Sequence, residues 1–233
     1  MNLAGFLAMA GKTNEQKGII KYFQSTGILG LIFRMSNEEF DNILAGKIND
    51  AKRTLESNAL KAHGMDADEV KEIPPIQIEG FASNSAFHKL FRDLTYRASG
   101  YQMTRLMFSE KQLYAYSSTF DLTSYETTEI TQEFFYEDIS SIDVTINEVE
   151  YLKPRSLGFL IGCWIAILLG FLLFFIPTII GVLLLIFAGH SRGIVKNLVL
   201  KITVPNDEFV CVMKPDYLNA IQGMKAKIRE KKR

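Results

Sequence analysis

Residues 157–187 read LGFLIGCWIAILLGFLLFFIPTIIGVLLLIF, without one charged side chain. No other feature restricts the fold of this chain so strongly, because an apolar run of about eighteen residues or more is ordinarily a membrane-crossing helix. As one straight helix the run would extend roughly 46 Å, against a hydrocarbon core of about 30 Å. Proline lacks a backbone donor and disfavours helical geometry in the residue before it. The excess length therefore predicts a helical hairpin with its tip at Ile176, Pro177 and Thr178. Lys153 and Arg155 precede the run, and Arg192 and Lys196 follow it. Basic flanks favour the cytoplasmic side, and two antiparallel arms place both flanks there. The expectation is an integral membrane protein with both termini cytoplasmic, a bacterial inner membrane fitting best. Each arm is short for a full crossing, which leaves open a thinned bilayer, a re-entrant path or a single kinked span. Gly158, Gly162, Gly170 and Gly181 suit close approach of two arms, or are the usual glycine content of such helices.

The chain before residue 74 reads as helical. Met1 to Ala10 is apolar but lacks the basic start of a secretion signal, and reads as a short helix. Ser36 and Glu39 form a capping box, followed by Phe40, Ile43, Leu44, Ile48, Ala51 and Leu55 at helical spacing. Gly64 marks the stop. Asp66, Asp68 and Glu69 lack the glycine and distal glutamate of a calcium loop, and read as the acidic start of a further short helix. Pro74 and Pro75 separate this helical part from the remainder of the chain.

Strand patterns then take over. Ile76 and Ile78 alternate with polar residues. Two runs at 101–108 and 112–118 flank a Ser109-Glu110-Lys111 turn, and a further run spans 129–136. Ile142, Val144 and Ile146 alternate, with Val149 and Tyr151 out of phase, as at a bulge. Beyond the apolar run Leu198, Leu200, Ile202 and Val204 alternate, a Pro205-Asn206-Asp207 turn comes next, and Phe209, Cys211 and Met213 make a last strand face. Tyr217, Leu218, Ile221, Met224 and Ile228 close the chain at helical spacing. Two strands after the apolar run are too few for a domain. The economical reading is one sheet interrupted by an insertion whose ends lie on the same side.

The segments Leu106-Met-Phe-Ser-Glu-Lys-Gln-Leu-Tyr-Ala-Tyr116 and Phe134-Phe-Tyr-Glu-Asp-Ile-Ser-Ser-Ile-Asp-Val144, with the later strand pair and final helix, resemble pleckstrin-homology-like domains of the GRAM and bacterial PH type. The likeness covers roughly residues 76–230, and a hairpin between strands departs from the simple pattern. The resemblance implies an α+β chain: a PH-like antiparallel barrel or sandwich with a C-terminal helix. Added to it are an inserted transmembrane helical hairpin and a helical N-terminal extension. The corresponding parts are residues 1–74, 75–156, 157–189 and 190–233. It also implies binding of lipid headgroups or of proteins, with no fixed catalytic residues and no cofactor. Its lipid site would fall on Lys89, Arg92 and Arg97, since clustered cations recognise phosphate. The alternative is an amphipathic helix in which Phe87, Leu90, Phe91 and Leu94 are buried and those cations are solvated.

Lys and Arg together number 26, as do Asp and Glu, so no global charge draws the chain to nucleic acid. Locally, residues 112–152 contain no Lys or Arg but many acids, which disfavours contact of that half with anionic lipid. Lys225, Lys227, Arg229, Lys231, Lys232 and Arg233 form a basic tail suited to a membrane surface. Cys163 and Cys211 read as free thiols. His63, His88 and His190 are scattered, and no metal, phosphate-loop or nucleophile-elbow motif occurs. The function expected is a membrane-anchored scaffolding module that recruits a protein partner. The alternatives are a headgroup-sensing module and, third, a membrane enzyme or transporter component.

Overall fold

In the computed structural model of the chain, which describes residues 9, 11–24, 35–66, 68, 73–91, 95–152, 157–172, 179, 181–182 and 192–232, the strand patterns are realised as an α+β fold with antiparallel sheets. The chain divides into two compact units. One comprises Met1–His88, Ala98–Glu148 and Lys196–Arg233; the other comprises Lys89–Arg97 and Val149–Val195.

In the first unit β1 (Ile73–Phe81), β4 (Gly100–Phe108), β5 (Gln112–Asp121) and β6 (Thr127–Phe135) form a four-stranded sheet in the order β1-β4-β5-β6. Pro74 and Pro75 stand where the helical part gives way to strands. They lie inside the edge strand β1, at a shift in its register with β4, where a missing donor is tolerated. The turn after β4 is held by Ser109 N–H donating to Gln112 O at 2.9 Å. Tyr136, the first residue of the Tyr-Glu-Asp-Ile stretch, latches this turn from outside the sheet. Its N–H donates to Lys111 O at 3.0 Å and its hydroxyl to Ser109 O at 2.8 Å.

A three-stranded sheet in the order β7-β8-β9 contains β7 (Ser141–Leu152), β8 (Arg192–Val204) and β9 (Asp207–Met213). Strands on either side of the apolar run are thus neighbours, as the interrupted-sheet argument requires, although they form a second sheet and do not extend the first. Leu200, Ile202, Phe209, Cys211 and Met213 face Ile78, Leu106, Phe108, Leu113, Ala115 and Phe134 in one core. Helix α4 (Leu218–Lys231) completes that core with Ile221, Met224 and Ile228. The other face of the four-stranded sheet carries Met103, Met107 and Tyr116, all buried. Across that face lies α2 (Asn37–His63), whose Leu55 and Ala59 are buried. Ser36 caps α2 by accepting Glu39 N–H at 3.0 Å, and left-handed Gly64, φ 63°, ends it as the sequence predicts. Helix α1 (Asn14–Gln24) packs Tyr22 and Phe23 on Phe40 of α2.

The second unit corrects the membrane expectation. Its helix α3 (Leu157–Leu172) has 16 residues, which span about 24 Å, less than a hydrocarbon core of about 30 Å. Among the described residues no helix is long and apolar enough to cross a membrane. The inserted transmembrane hairpin is therefore overturned. So is the integral membrane placement with both termini cytoplasmic, because that topology rested on two crossing arms. The proposed tip, Ile176, Pro177 and Thr178, lies outside the described residues. The expected amphipathic helix after residue 87 is also replaced. His88–Leu90 and Tyr96–Ala98 form β2 and β3, paired in a two-stranded sheet, and Phe91 N–H donates to Thr95 O at 3.1 Å. Strand pairing has overridden the local helical spacing of apolar residues.

The two sheets are joined by a buried side chain. Gln102 Oε1 on β4 accepts Val212 N–H of β9 at 2.7 Å, while its Nε2 donates to Ser117 Oγ at 3.0 Å. Substituting Gln102→Leu strands the buried Val212 N–H, while Ser117 Oγ keeps its bond from Thr104 Oγ1, so urea unfolding is expected to register a loss of about 1–3 kcal/mol. An unchanged midpoint would show that the seam does not depend on this bond.

Candidate functional site

Among the described residues of the first unit, polar side chains gather in two further places besides the Gln102 network. The first is a charged node built around Glu79 of β1. Glu79 points to the outer face of its sheet, where α2 covers it and leaves its side chain 8 % exposed. Lys52 of α2 places Nζ 2.9 Å from Glu79 Oε2, and Lys214, just after β9, donates to Glu79 Oε1 at 3.1 Å. The Lys214 ammonium also lies 5.5 Å from the centre of the Tyr101 ring. Burial alone would raise the Glu79 carboxyl. Hydrogen bonds and charge from Lys52 and Lys214 outweigh it and hold the carboxyl below its ordinary value. Burial, and then the neighbouring Glu79 charge, push the Tyr101 phenol well above its usual range. The node thus ties an N-terminal helix, a sheet edge and the start of the C-terminal helical part together through one carboxylate.

The second place is a cleft of about 450 Å³ at the end of the four-stranded sheet, lined among others by Lys12, Asn84, Ser85, Ser124, Glu126 and Thr128. Its floor is a closed web of hydrogen bonds. Ser99 Oγ donates to Asp121 Oδ2 at 2.7 Å, and Thr123 N–H and Oγ1 donate to Asp121 Oδ1 at 2.7 and 2.6 Å. Gly100 N–H donates to Ser85 Oγ at 3.2 Å, and a Cβ at Gly100 would stand only 2.7 Å from that oxygen. Asp121 is fully engaged in shaping the loop. With Lys12 opposed by Glu126 and Asp121, the lining has no excess of positive charge for phosphate.

Of the residues singled out for lipid recognition, Lys89 and Arg97 belong to the second unit, and both meet Phe91. Lys89 Nζ and Arg97 Cζ each lie 5.4 Å from the centre of its ring. Phe91 is 2 % and Arg97 5 % exposed, so the arginine sits on an aromatic face and does not project outward. Arg92 lies outside the described residues. The expected basic tail is for the most part the last turns of α4. Lys227, Arg229 and Lys231 are exposed on it and Lys225 is half-buried. Lys232 donates to Ile139 O, and Arg233 lies outside the described residues.

Both cysteines are buried and free. Burial pushes the Cys211 thiol up to about 12, which leaves it protonated and unreactive at neutral pH. Among the described residues no group of His, Cys, Asp and Glu is placed to hold a metal ion. In α3, Cys163 is buried, and a Cβ at Gly181 would lie 3.1 Å from Cys163 O and 2.8 Å from Ile167 Cγ1, so Gly181 seats closely on the helix. The opposite side of the helix is open: Ile161, Trp164, Ile165 and Leu168 are 49, 46, 50 and 64 % exposed.

The Glu79 node and the Gln102 bond escape a reading of the sequence because each is defined by a covering element. Glu79 occupies the polar phase of an alternating strand and looks solvent-facing until α2 is laid over it. A carboxyl held low in the folded state stabilises fully above its ordinary value of 4.5, and that contribution is lost as pH falls through the lowered value. Glu79→Gln is therefore expected to flatten the acid limb of stability in urea titrations. The expected cost at neutral pH is on the order of 1 kcal/mol, since both lysine heads stay partly in water. An acid limb identical to that of the parent would rule out Glu79 as its source. Comparison with known protein families, with curated proteins and with solved structures finds no match to this chain.

Proposed function

We propose that the chain is a pleckstrin-homology-like binding module that holds a protein partner at a lipid surface, with no chemistry of its own. The observation that carries the lipid half of this reading is the face of α3. The helix contains no charged residue, and four large apolar side chains in little more than two turns stand open. A contiguous apolar patch of this kind is a surface with a partner. A bilayer fits it better than a protein groove because the flanking residues Lys153, Arg155 and Lys196 suit anionic headgroups at the edge of a hydrocarbon layer. The helix is laid into the layer and does not pass through it.

The PH-like half of the reading is supported by the arrangement of four plus three strands around a C-terminal helix, and by Tyr136 bracing the first turn of the motif that carries the resemblance. A protein partner is favoured over headgroup sensing because the terminal cleft lacks a cation excess and Arg97 is buried on Phe91. The competing reading, in which Lys89, Arg92 and Arg97 sense headgroups, draws on the two cations gathered at that ring.

Flotation with phosphatidylcholine vesicles, with and without anionic lipid, tests the proposal. The parent chain is expected to float with both. Ile165→Glu combined with Leu168→Glu is expected to lower partitioning by at least about tenfold, given the 1.5–3 kcal/mol that a fully buried side chain of this size contributes. A parent chain that stays unbound, or a variant that floats unchanged, would overturn the bilayer contact. Selective loss of binding to anionic vesicles in Lys89→Glu with Arg92→Glu would instead support headgroup sensing.

A further inference from the structure

Strand β6 ends the four-stranded sheet. It pairs with β5 along its whole length, from Gln112 opposite Phe135 to Phe120 opposite Thr127, with no shift in register. In an antiparallel ladder the peptide groups of alternate residues turn to the far side, so β6 offers a row of N–H and C=O groups beyond the sheet. Thr127, Thr128, Glu129, Ile130, Thr131, Glu133 and Phe135 are all exposed. Sheet edges of this length are usually blunted by charged side chains, above all lysine on the edge, by proline or by a bulge. The glutamates of β6 leave the edge open to a partner of opposite charge. Of lysine, proline and bulge β6 has none, and it is rich in β-branched residues that favour further strand pairing.

Its charges have one sign. Glu129 and Glu133 lie on one face of the strand, Glu126 and Glu137 flank it, and no Lys or Arg occurs between residues 112 and 152. The opposite face carries Ile130, Gln132 and Phe134. His63 Nδ1 lies 3.1 Å from one Glu133 oxygen, and Glu129 stands beside the Tyr116 phenol, so both carboxylates contribute to the acidic face of the strand.

We propose that β6 accepts, as a fifth strand, an extended segment of a partner protein in which Lys or Arg alternates with apolar residues. Main-chain hydrogen bonds would supply the affinity, while the carboxylates on one face and Ile130 on the other set the alternation. A second copy of this chain fits badly, because joining two β6 edges gathers four glutamates. Anionic lipid is excluded by the same sign of charge. The inference names the chemistry of the partner in the function proposed above. It rests on that reading for the existence of a partner, and its test involves no lipid, so either can fail alone.

The test uses the 233-residue chain with three labelled peptides of about ten residues, long enough to pair along a whole strand. These are an alternating Lys–Val peptide, its Glu–Val counterpart, and the Lys–Val peptide N-methylated at every second residue. Fluorescence anisotropy is expected to show binding of the first and none of the second, with N-methylation and Glu129→Lys each weakening binding by about tenfold or more. Amide hydrogen exchange is expected to slow at alternate residues of β6. Three results would overturn the proposal: no binding of the Lys–Val peptide, equal binding of the N-methylated form, or protection that falls elsewhere in the chain.

Discussion

The core of the first unit is closed by a hydrogen bond between its sheets, from Val212 N–H on β9 to the side chain of Gln102 on β4. Backbone pairing alone leaves β9 with partners on one side, since it ends the order β7-β8-β9. Gly80 on β1 makes the approach feasible, because a Cβ there would stand 3.1 Å from Val212 Cγ1. Gln102 in turn shares Ser117 Oγ with Thr104, so three buried polar side chains satisfy one another and the edge of β9 together. A buried polar group without such a partner is costly, which is why this small network, and not a further layer of aliphatic side chains, marks where the sheets meet.

Around this closure the ionisable side chains named above help to hold the structure together. Glu79 binds two lysines, Asp121 is occupied by Ser99 and Thr123, and the Cys211 thiol is buried and protonated. Each of these groups, which would attract suspicion as an acid, base or nucleophile, is committed to its surroundings. Among the described residues, the apolar face of α3 and the acidic edge of β6 stand exposed.

Much of the strand framework was legible because alternation is a direct image of a half-buried strand. Leu200, Ile202, Phe209, Cys211 and Met213 enter the core as their spacing predicts. Ser36 and Gly64 bound α2 for equally local reasons. Two misreadings share a cause. Phe87, Leu90, Phe91 and Leu94 are spaced like a helix, yet the segment pairs as β2 and β3, because short apolar runs do not distinguish the two. The apolar run at 157–187 was long enough on paper for a crossing, but helical length is decided by where the helix stops, and α3 stops at Leu172. The candidate sites were less legible than the fold. Lys89 and Arg97 both meet the Phe91 ring, and that contact, with the burial of Arg97, belongs to packing that no spacing encodes.

The adjacency of β7 and β8 has a consequence for how this chain comes into being. Every strand of the four-stranded sheet precedes Tyr136, so a growing polypeptide completes that sheet early. Its inner face, with Leu106, Phe108, Leu113 and Phe134, is met by Tyr136, Ile139, Ile142 and Val144, but most of its partners come from Leu198 onward. During synthesis, at about 5–20 residues per second, that face stays incompletely covered for several seconds while the apolar insertion emerges between the two halves. Long-range closure of this kind is slow, since the ends of a long segment must meet before any contact offsets the loss of chain entropy. The stage at which the nascent chain is most prone to aggregate therefore coincides with the appearance of its most apolar stretch. Whatever shields residues 157–187 at that moment also determines whether the second sheet reaches the first.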